Sequence, residues 1–124
     1  MRKHILLIDD EDDIREVTAV SLETVAGWQV SSAASGSAGL ELAKKALPDA
    51  ILLDVMMPEQ DGPATLRLLR SDEVTAQIPV IFLTAKAQSI EQEHLQAIGA
   101  AGTLAKPFNP LTLASQISGI LNWR

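Results

Sequence analysis

Apolar residues recur along this chain in two rhythms. Ile5-Leu6-Leu7-Ile8, Ala50 to Leu53 and Pro79 to Leu83 are continuous apolar runs of strand length. A run without polar alternation predicts a strand covered on both faces, as in a parallel sheet. Trp28 to Ala33 and Thr103 to Ala105 read as two shorter strands. Between the runs the period lengthens to three and four residues. Ile14, Val17, Ser21 and Val25, widened by Val20 and Leu22, predict an amphipathic helix beginning at Glu11 and stopping at Gly27. Ser35 or Gly36 opens a second helix through Leu47, with Leu42, Ala43 and Ala46 on its inner face and Pro48 ending it. Residues 58–62 form a loop. Pro63 suits the first turn of a third helix through Leu66, Leu69 and Arg70. A fourth helix runs from about Ser89 to Ile98, with Gly99 as its cap. Asn109 is placed to cap a fifth, whose buried stripe is Leu111, Ala114, Ile117 and Leu121.

Five strands alternating with five helices imply parallel pairing through right-handed crossovers, and hence a three-layer α/β sandwich. With 124 residues, 47% of them hydrophobic, the chain is long enough for one domain with its own core. Only Trp28, Phe82, Phe108 and Trp123 are aromatic, so aliphatic side chains must fill that core. The lack of cysteine removes disulfides and thiolate metal sites and is compatible with a cytoplasmic setting. No apolar run approaches the roughly 18 residues of a membrane span. The apolar stretch behind Met1-Arg2-Lys3-His4 turns acidic too soon for a signal peptide. A net charge of −6 disfavours direct nucleic-acid binding.

Polar residues fall at strand ends. The first strand ends in Asp9 and Asp10, the third in Asp54, the fourth in Thr84 and the fifth in Lys106. In an open parallel sheet the carboxyl ends share one edge, where ligands bind. Three carboxylates, a hydroxyl and an ammonium should therefore converge. Clustered carboxylates repel unless a cation joins them, and an all-oxygen set suits Mg²⁺, which keeps part of its water shell and favours phosphate sites. Lys106 adds a point charge for a phosphate oxygen and Thr84 a neutral donor. This set fits phosphoryl transfer onto a carboxylate, with Asp54 as nucleophile. Asp12 and Asp13 read instead as a solvated first turn of the helix. His4 and His94 have no partner at ligand spacing, and the two tryptophans read as packing at element ends.

Asp9-Asp10, Leu53-Asp54-Val55-Met56-Met57-Pro58 with Asp61-Gly62, Thr84-Ala85 and Lys106-Pro107-Phe108 together resemble the response-regulator receiver domain of two-component signalling. The match runs over essentially the whole chain, so residues 1–124 read as a single receiver domain. The resemblance implies a flavodoxin-like, doubly wound sheet of order 2-1-3-4-5. It implies that Asp54 accepts a phosphoryl group from a histidine kinase or histidine phosphotransfer protein and passes the change to an effector or fused output domain. Mg²⁺ would be held by Asp10, Asp54 and the backbone carbonyl of Met56, with Asp9 acting mainly through water. Thr84 would bind a phosphoryl oxygen, Lys106 would pair with the phosphoryl group, and the Lys106-Pro107 bond would be cis.

This chain departs from the pattern at Thr103, where receivers usually carry Tyr or Phe. A small hydroxyl side chain does not fill a ring-sized gap, so conformational change is expected to run through the backbone from Thr84 to Ala87 and the helix beyond. Met56 and Lys86 occupy positions that in the family tune phosphoryl lifetime, and apolar Met56 favours slow self-hydrolysis. The outer side of the last helix (Thr112, Ser115, Gln116, Ser118, Asn122) is uncharged, which argues against a salt-bridged dimer there. The protein is expected to be a signalling phosphoacceptor rather than an enzyme. The alternative, a Mg²⁺-dependent aspartyl-phosphate phosphatase of the haloacid-dehalogenase type, wants a second Asp two residues after the nucleophile, where this chain has Met56. A flavin binder would want a hydroxyl- and glycine-rich loop where this chain is acidic. A degenerate receiver used only for docking would not need all five site residues.

Overall fold

The computed structural model describes residues 2–85 and 89–123, the side chains of 89–92 excepted. Lys86 and the loop segment up to Ala87 lie outside the described residues. Strands β1 (His4–Ile8), β2 (Gln29–Ala33), β3 (Ala50–Asp54), β4 (Val80–Thr84) and β5 (Gly102–Ala105) alternate with helices α1 (Asp12–Ala26), α2 (Gly36–Ala46), α3 (Gly62–Ser71), α4 (Ser89–Ala97) and α5 (Leu113–Leu121). All strand pairs are parallel, in the order β2-β1-β3-β4-β5. No described helix is long and apolar enough to cross a membrane.

The continuous apolar runs follow from this layering. Successive side chains of a strand point to opposite faces. Leu6, Ile8, Ile51, Leu53, Val80 and Phe82 join Ala43 of α2, Leu66 and Leu69 of α3 and Leu95 of α4 in one core layer. Ile5, Leu7, Leu52, Ile81, Leu83 and Leu104 meet Leu22 of α1 and Leu113, Ala114 and Ile117 of α5 in the other. β3 and β4 are buried at every position, because both of their faces are covered.

Helix faces depart from the expected stripes. In α1 the buried residues are Thr18, Ser21 and Leu22, whereas Val17, Val20 and Val25 are exposed. Ser21 is accommodated on this face because its Oγ donates to the Pro110 carbonyl across the α1–α5 junction. In α2 the close contacts come from Gly36, Gly39 and Ala43. A Cβ at Gly39 would collide with the Ile8 side chain, so this helix lies too near the sheet for larger residues. The fifth helix begins later than expected, after Thr112, and Leu111 is exposed rather than part of its stripe. Asn109 Oδ1 accepts from the Leu111 amide and so caps the preceding turn instead of the helix. Trp28 and Trp123 pack edge to face at 5.4 Å at the base of the sheet, far along the strands from the polar edge.

Candidate functional site

Each site residue is delivered by the end of a strand. Asp9 follows β1, Asp54 and Thr84 are the last residues of β3 and β4, and Lys106 follows β5. Register aligns them: Asp54 lies opposite Leu83, and Thr84 opposite Ala105. The sheet is pinned at this edge by backbone bonds from Asp9 N–H to Ala33 O, Val55 N–H to Leu83 O and Lys106 N–H to Thr84 O. The Lys106–Pro107 peptide is cis, as the resemblance implied.

The turn after β3 depends on close backbone approach. Gly62 N–H donates to Val55 O at 3.0 Å, and Asp61 caps α3 by accepting from Ala64 N–H. A Cβ on Gly62 would stand 2.5 Å from the Asp54 carbonyl oxygen, and 2.9 Å from both Phe82 Cε1 and Val55 Cα. Two of those neighbours are backbone and cannot rotate away. Gly62→Ala is therefore expected to lower stability by about 2–3 kcal/mol, the usual cost of overpacking. Urea denaturation measures it, and a loss under about 0.5 kcal/mol would contradict the crowding.

Within the cleft, Lys106 Nζ lies 2.8 Å from Asp9 Oδ2, 3.2 Å from Asp54 Oδ1 and 3.6 Å from Glu11 Oε1. Asp9 and Asp54 are buried, and Thr84 is buried beside them. Burial, followed by repulsion from Asp9, pushes the Asp54 carboxyl up to about 6 from 3.8, against the opposing pull of Lys106 and of the Met56 amide. Burial works against the Lys106 ammonium, but contacts with Asp9 and Asp54 outweigh it and raise its pKa.

Asp9, Glu11 and Asp54 each offer a carboxylate oxygen, and these oxygens lie within 4.8 Å of one another. Three carboxylates against one ammonium leave two negative charges in excess when all are ionised, which a divalent cation would balance. Asp9 Oδ2 is fully buried and, among the described residues, takes no backbone donor. Lys106 Nζ, 2.8 Å away, is the close partner of that oxygen. An all-oxygen set that carries this excess of negative charge fits a hard divalent ion.

The structure thus brings together Asp9, Asp54, Thr84 and Lys106. Asp10 is exposed at the rim and is not among the three carboxylates whose oxygens draw close. Met56 is 73% exposed at the mouth, while Met57 is buried. Glu11 was not expected here. Arg15 was also missed: its Nη1 donates to the Asp9 carbonyl at 2.7 Å, and its guanidinium pairs with Asp12, so it clasps the β1–α1 turn. Its place six residues after Asp9 on the first helical turns was the available signal.

The response regulator receiver domain family matches residues 5–118. The chain is 38% identical over 119 residues to the phosphate regulon transcriptional regulatory protein PhoB of Pseudomonas aeruginosa, covering 96% of this chain and 52% of that protein. It is 40% identical over 119 residues to the DNA-binding dual master transcriptional regulator RpaA of a Synechocystis species, covering 94% of this chain and 48% of that protein. It therefore spans about half the length of these curated relatives. Among solved structures, the chemotaxis response regulator CheY4 of Vibrio cholerae matches with a TM-score of 0.90 at 32% identity, covering 97% of this chain and 99% of that one.

Proposed function

The chain belongs to the response regulator receiver family, and from that premise we propose that it is a phosphoacceptor switch with Asp54 as the acceptor. The observation that carries this is the setting of Asp54: a buried carboxylate at a strand end, 3.2 Å from Lys106 Nζ and within the carboxylate cluster. An Asp54 carboxylate oxygen forms a bond to phosphorus as the N–P bond of a phosphohistidine breaks. The imidazole leaves with the electron pair and takes up a proton. The donor is a histidine kinase or a histidine phosphotransfer protein, and a cytoplasmic setting goes with such donors.

Mg²⁺ would be held by Asp54 and the Met56 carbonyl, with Asp10 reaching in from the exposed rim and Asp9 acting through water, and it would neutralise charge on the phosphoryl oxygens. Lys106 keeps the cleft compact before transfer and pairs with the phosphoryl group after it. Thr84, buried at the end of β4, binds a phosphoryl oxygen and changes the course of the following backbone. Lys106 N–H bonds to the Thr84 carbonyl, so a shift there also reaches the end of β5. Thr103 is half-buried opposite the fully buried Phe82, and no ring stands on β5 to follow that shift. Turnover as a phosphatase is disfavoured because Met56 stands where a general acid is needed, leaving a switch rather than an enzyme. The downstream target is an effector or an attached output domain. The net charge of −6 disfavours nucleic-acid contact by this unit alone, and in a transcriptional regulator an attached domain would make that contact.

The test is labelling of the wild type with acetyl phosphate. Mg²⁺-dependent formation of one hydroxylamine-sensitive acyl phosphate is expected, mapping to Asp54 and falling by about 100-fold or more in EDTA. Label on a hydroxyl group, or label indifferent to EDTA, would overturn the reading.

A further inference from the structure

We propose that Glu11 is a positioning residue of this site: it sets how tightly the cleft takes a divalent cation, and it holds Lys106 until a phosphoryl group claims it. The inference rests on the phosphoacceptor reading and deepens it.

Glu11 occupies the N-cap position of α1 with extended backbone (φ −90°, ψ 119°), yet its side chain makes no capping hydrogen bond. An N-cap side chain normally accepts from an amide of the first turn, and short Ser, Thr, Asp and Asn do this best. A longer carboxylate at this place can swing away from the helix. Here its Oε1 stands 3.6 Å from Lys106 Nζ. The same residue donates its backbone N–H to Asp9 Oδ1 at 2.9 Å, which fixes it to the buried carboxylate beside the site.

Two further observations give this placement a purpose. A Glu11 oxygen lies within 4.8 Å of oxygens from Asp9 and Asp54, so it adds a third negative charge to the pair expected to attract a cation. Asp9 Oδ2 is fully buried with Lys106 Nζ at 2.8 Å, so Asp9 and Asp54, both buried, share this one ammonium with Glu11. Glu11 itself is 60% exposed. A hydrated carboxylate of that kind acts on a bound ion through the ion's water shell and through the Coulomb field, both of which survive partial exposure.

The consequences have opposite signs. Removing the Glu11 charge weakens attraction for a cation. It also weakens repulsion of an incoming phosphate dianion and releases one of the three carboxylates that hold Lys106. A role confined to capping or packing would move neither quantity, because the side chain does not cap.

The experiment compares wild type, Glu11→Gln and Glu11→Asp, each as the whole chain. Isothermal titration with MgCl₂ is expected to show a roughly fivefold to tenfold weaker Kd for the Gln variant, with the Asp variant recovering part of the loss. At saturating Mg²⁺ the Gln variant is expected to label faster with acetyl phosphate, by about twofold to fivefold. Thermal midpoints in EDTA should stay close together. Equal Mg²⁺ affinity for all three proteins, or slower labelling of the Gln variant at saturating Mg²⁺, overturns the inference. If the wild type labels at Asp54 while Glu11→Gln behaves identically, this inference alone fails. If the wild type binds Mg²⁺ but forms no acyl phosphate, the phosphoacceptor reading fails and the Mg²⁺ titrations still decide the cation role of Glu11.

Discussion

Asp54→Asn is expected to abolish covalent phosphorylation by acetyl phosphate and, in the absence of metal, to make the folded protein more stable by about 2 kcal/mol near neutral pH. The first effect follows from chemistry, since an amide oxygen is too poor a nucleophile to attack phosphorus and displace acetate from acetyl phosphate. The second follows from the environment of the native carboxylate. Its pKa is pushed up to about 6 from 3.8, by burial first and then by Asp9. Between those two values the folded state holds a proton that the unfolded state has lost. Stability therefore falls as pH rises from about 4 to about 6, and stays lower above that window. A full shift of this size corresponds to roughly 3 kcal/mol at about 1.4 kcal/mol per pH unit, and loss of the Lys106 partner reduces the gain available to Asn. Urea denaturation in EDTA should show the variant ahead at neutral pH and level with wild type near pH 4. Mg²⁺ should narrow the neutral-pH difference by stabilising wild type selectively. A variant that labels as well as wild type would remove Asp54 from its role. A variant less stable than wild type at neutral pH in EDTA would show that the Lys106 pair outweighs burial and repulsion.

Much of the fold was legible because burial on both faces leaves a simple mark. Ile5–Ile8 and Ala50–Leu53 read as strands without alternation, and their residues do divide between two core layers. The polar edge was legible for a related reason: a carboxylate directly after such a run has only the strand end to occupy. Periodicity failed where a helix presses on its neighbours through small or polar residues. Of the expected stripe in α1, Ser21 and Leu22 are buried, but Thr18 joins them on the inner face while Val17, Val20 and Val25 face outward. Apolar side chains on that helix could not be separated into inner and outer sets by spacing alone. Leu111 was misplaced because the turn closed by Asn109 delays the helix, and a side chain that bonds two residues ahead serves a turn as readily as a helix cap.

In the site, strand ends predicted which residues would converge but not how each side chain turns. Asp9 and Asp10 are neighbours with opposite fates, one fully buried and one exposed, and the sequence offers nothing to separate them beyond the resemblance. Glu11 lay hidden in an acidic run that reads as a helix N-terminus. Its relevance depends on a side-chain direction that lets it reach Lys106 across the β5 edge, a contact between residues 95 positions apart (106 − 11).

Lys106→Met tests the other half of the charge balance, and the expected loss depends on whether a cation is present. Without metal, removing the ammonium leaves Asp9 and Asp54 buried and facing one another. Breaking a buried pair from one side normally costs about 3–5 kcal/mol. Here Asp54 already holds its proton more tightly than an ordinary Asp, and repulsion from Asp9, no longer offset by Lys106, will raise its pKa further. Proton uptake absorbs part of the cost, so a loss of about 2–3 kcal/mol is expected at neutral pH in EDTA, growing as pH is raised and Asp54 is forced to ionise. Millimolar Mg²⁺ should restore most of it, because a divalent ion supplies the charge that the lysine supplied and no longer competes with it. The variant should therefore bind Mg²⁺ at least as tightly as wild type. Its response to phosphorylation should still be largely lost, because a cation on one side of the phosphoryl group does not replace an ammonium tied to the end of β5, whose backbone N–H also bonds to Thr84 O. Hydrogen exchange at the ends of β4 and β5, before and after acetyl phosphate, reads that response. Full Mg²⁺ rescue of stability with an unchanged exchange response would show that Lys106 balances charge but carries no signal. Failure of Mg²⁺ to rescue would show instead that the carboxylates around it do not form a cation site.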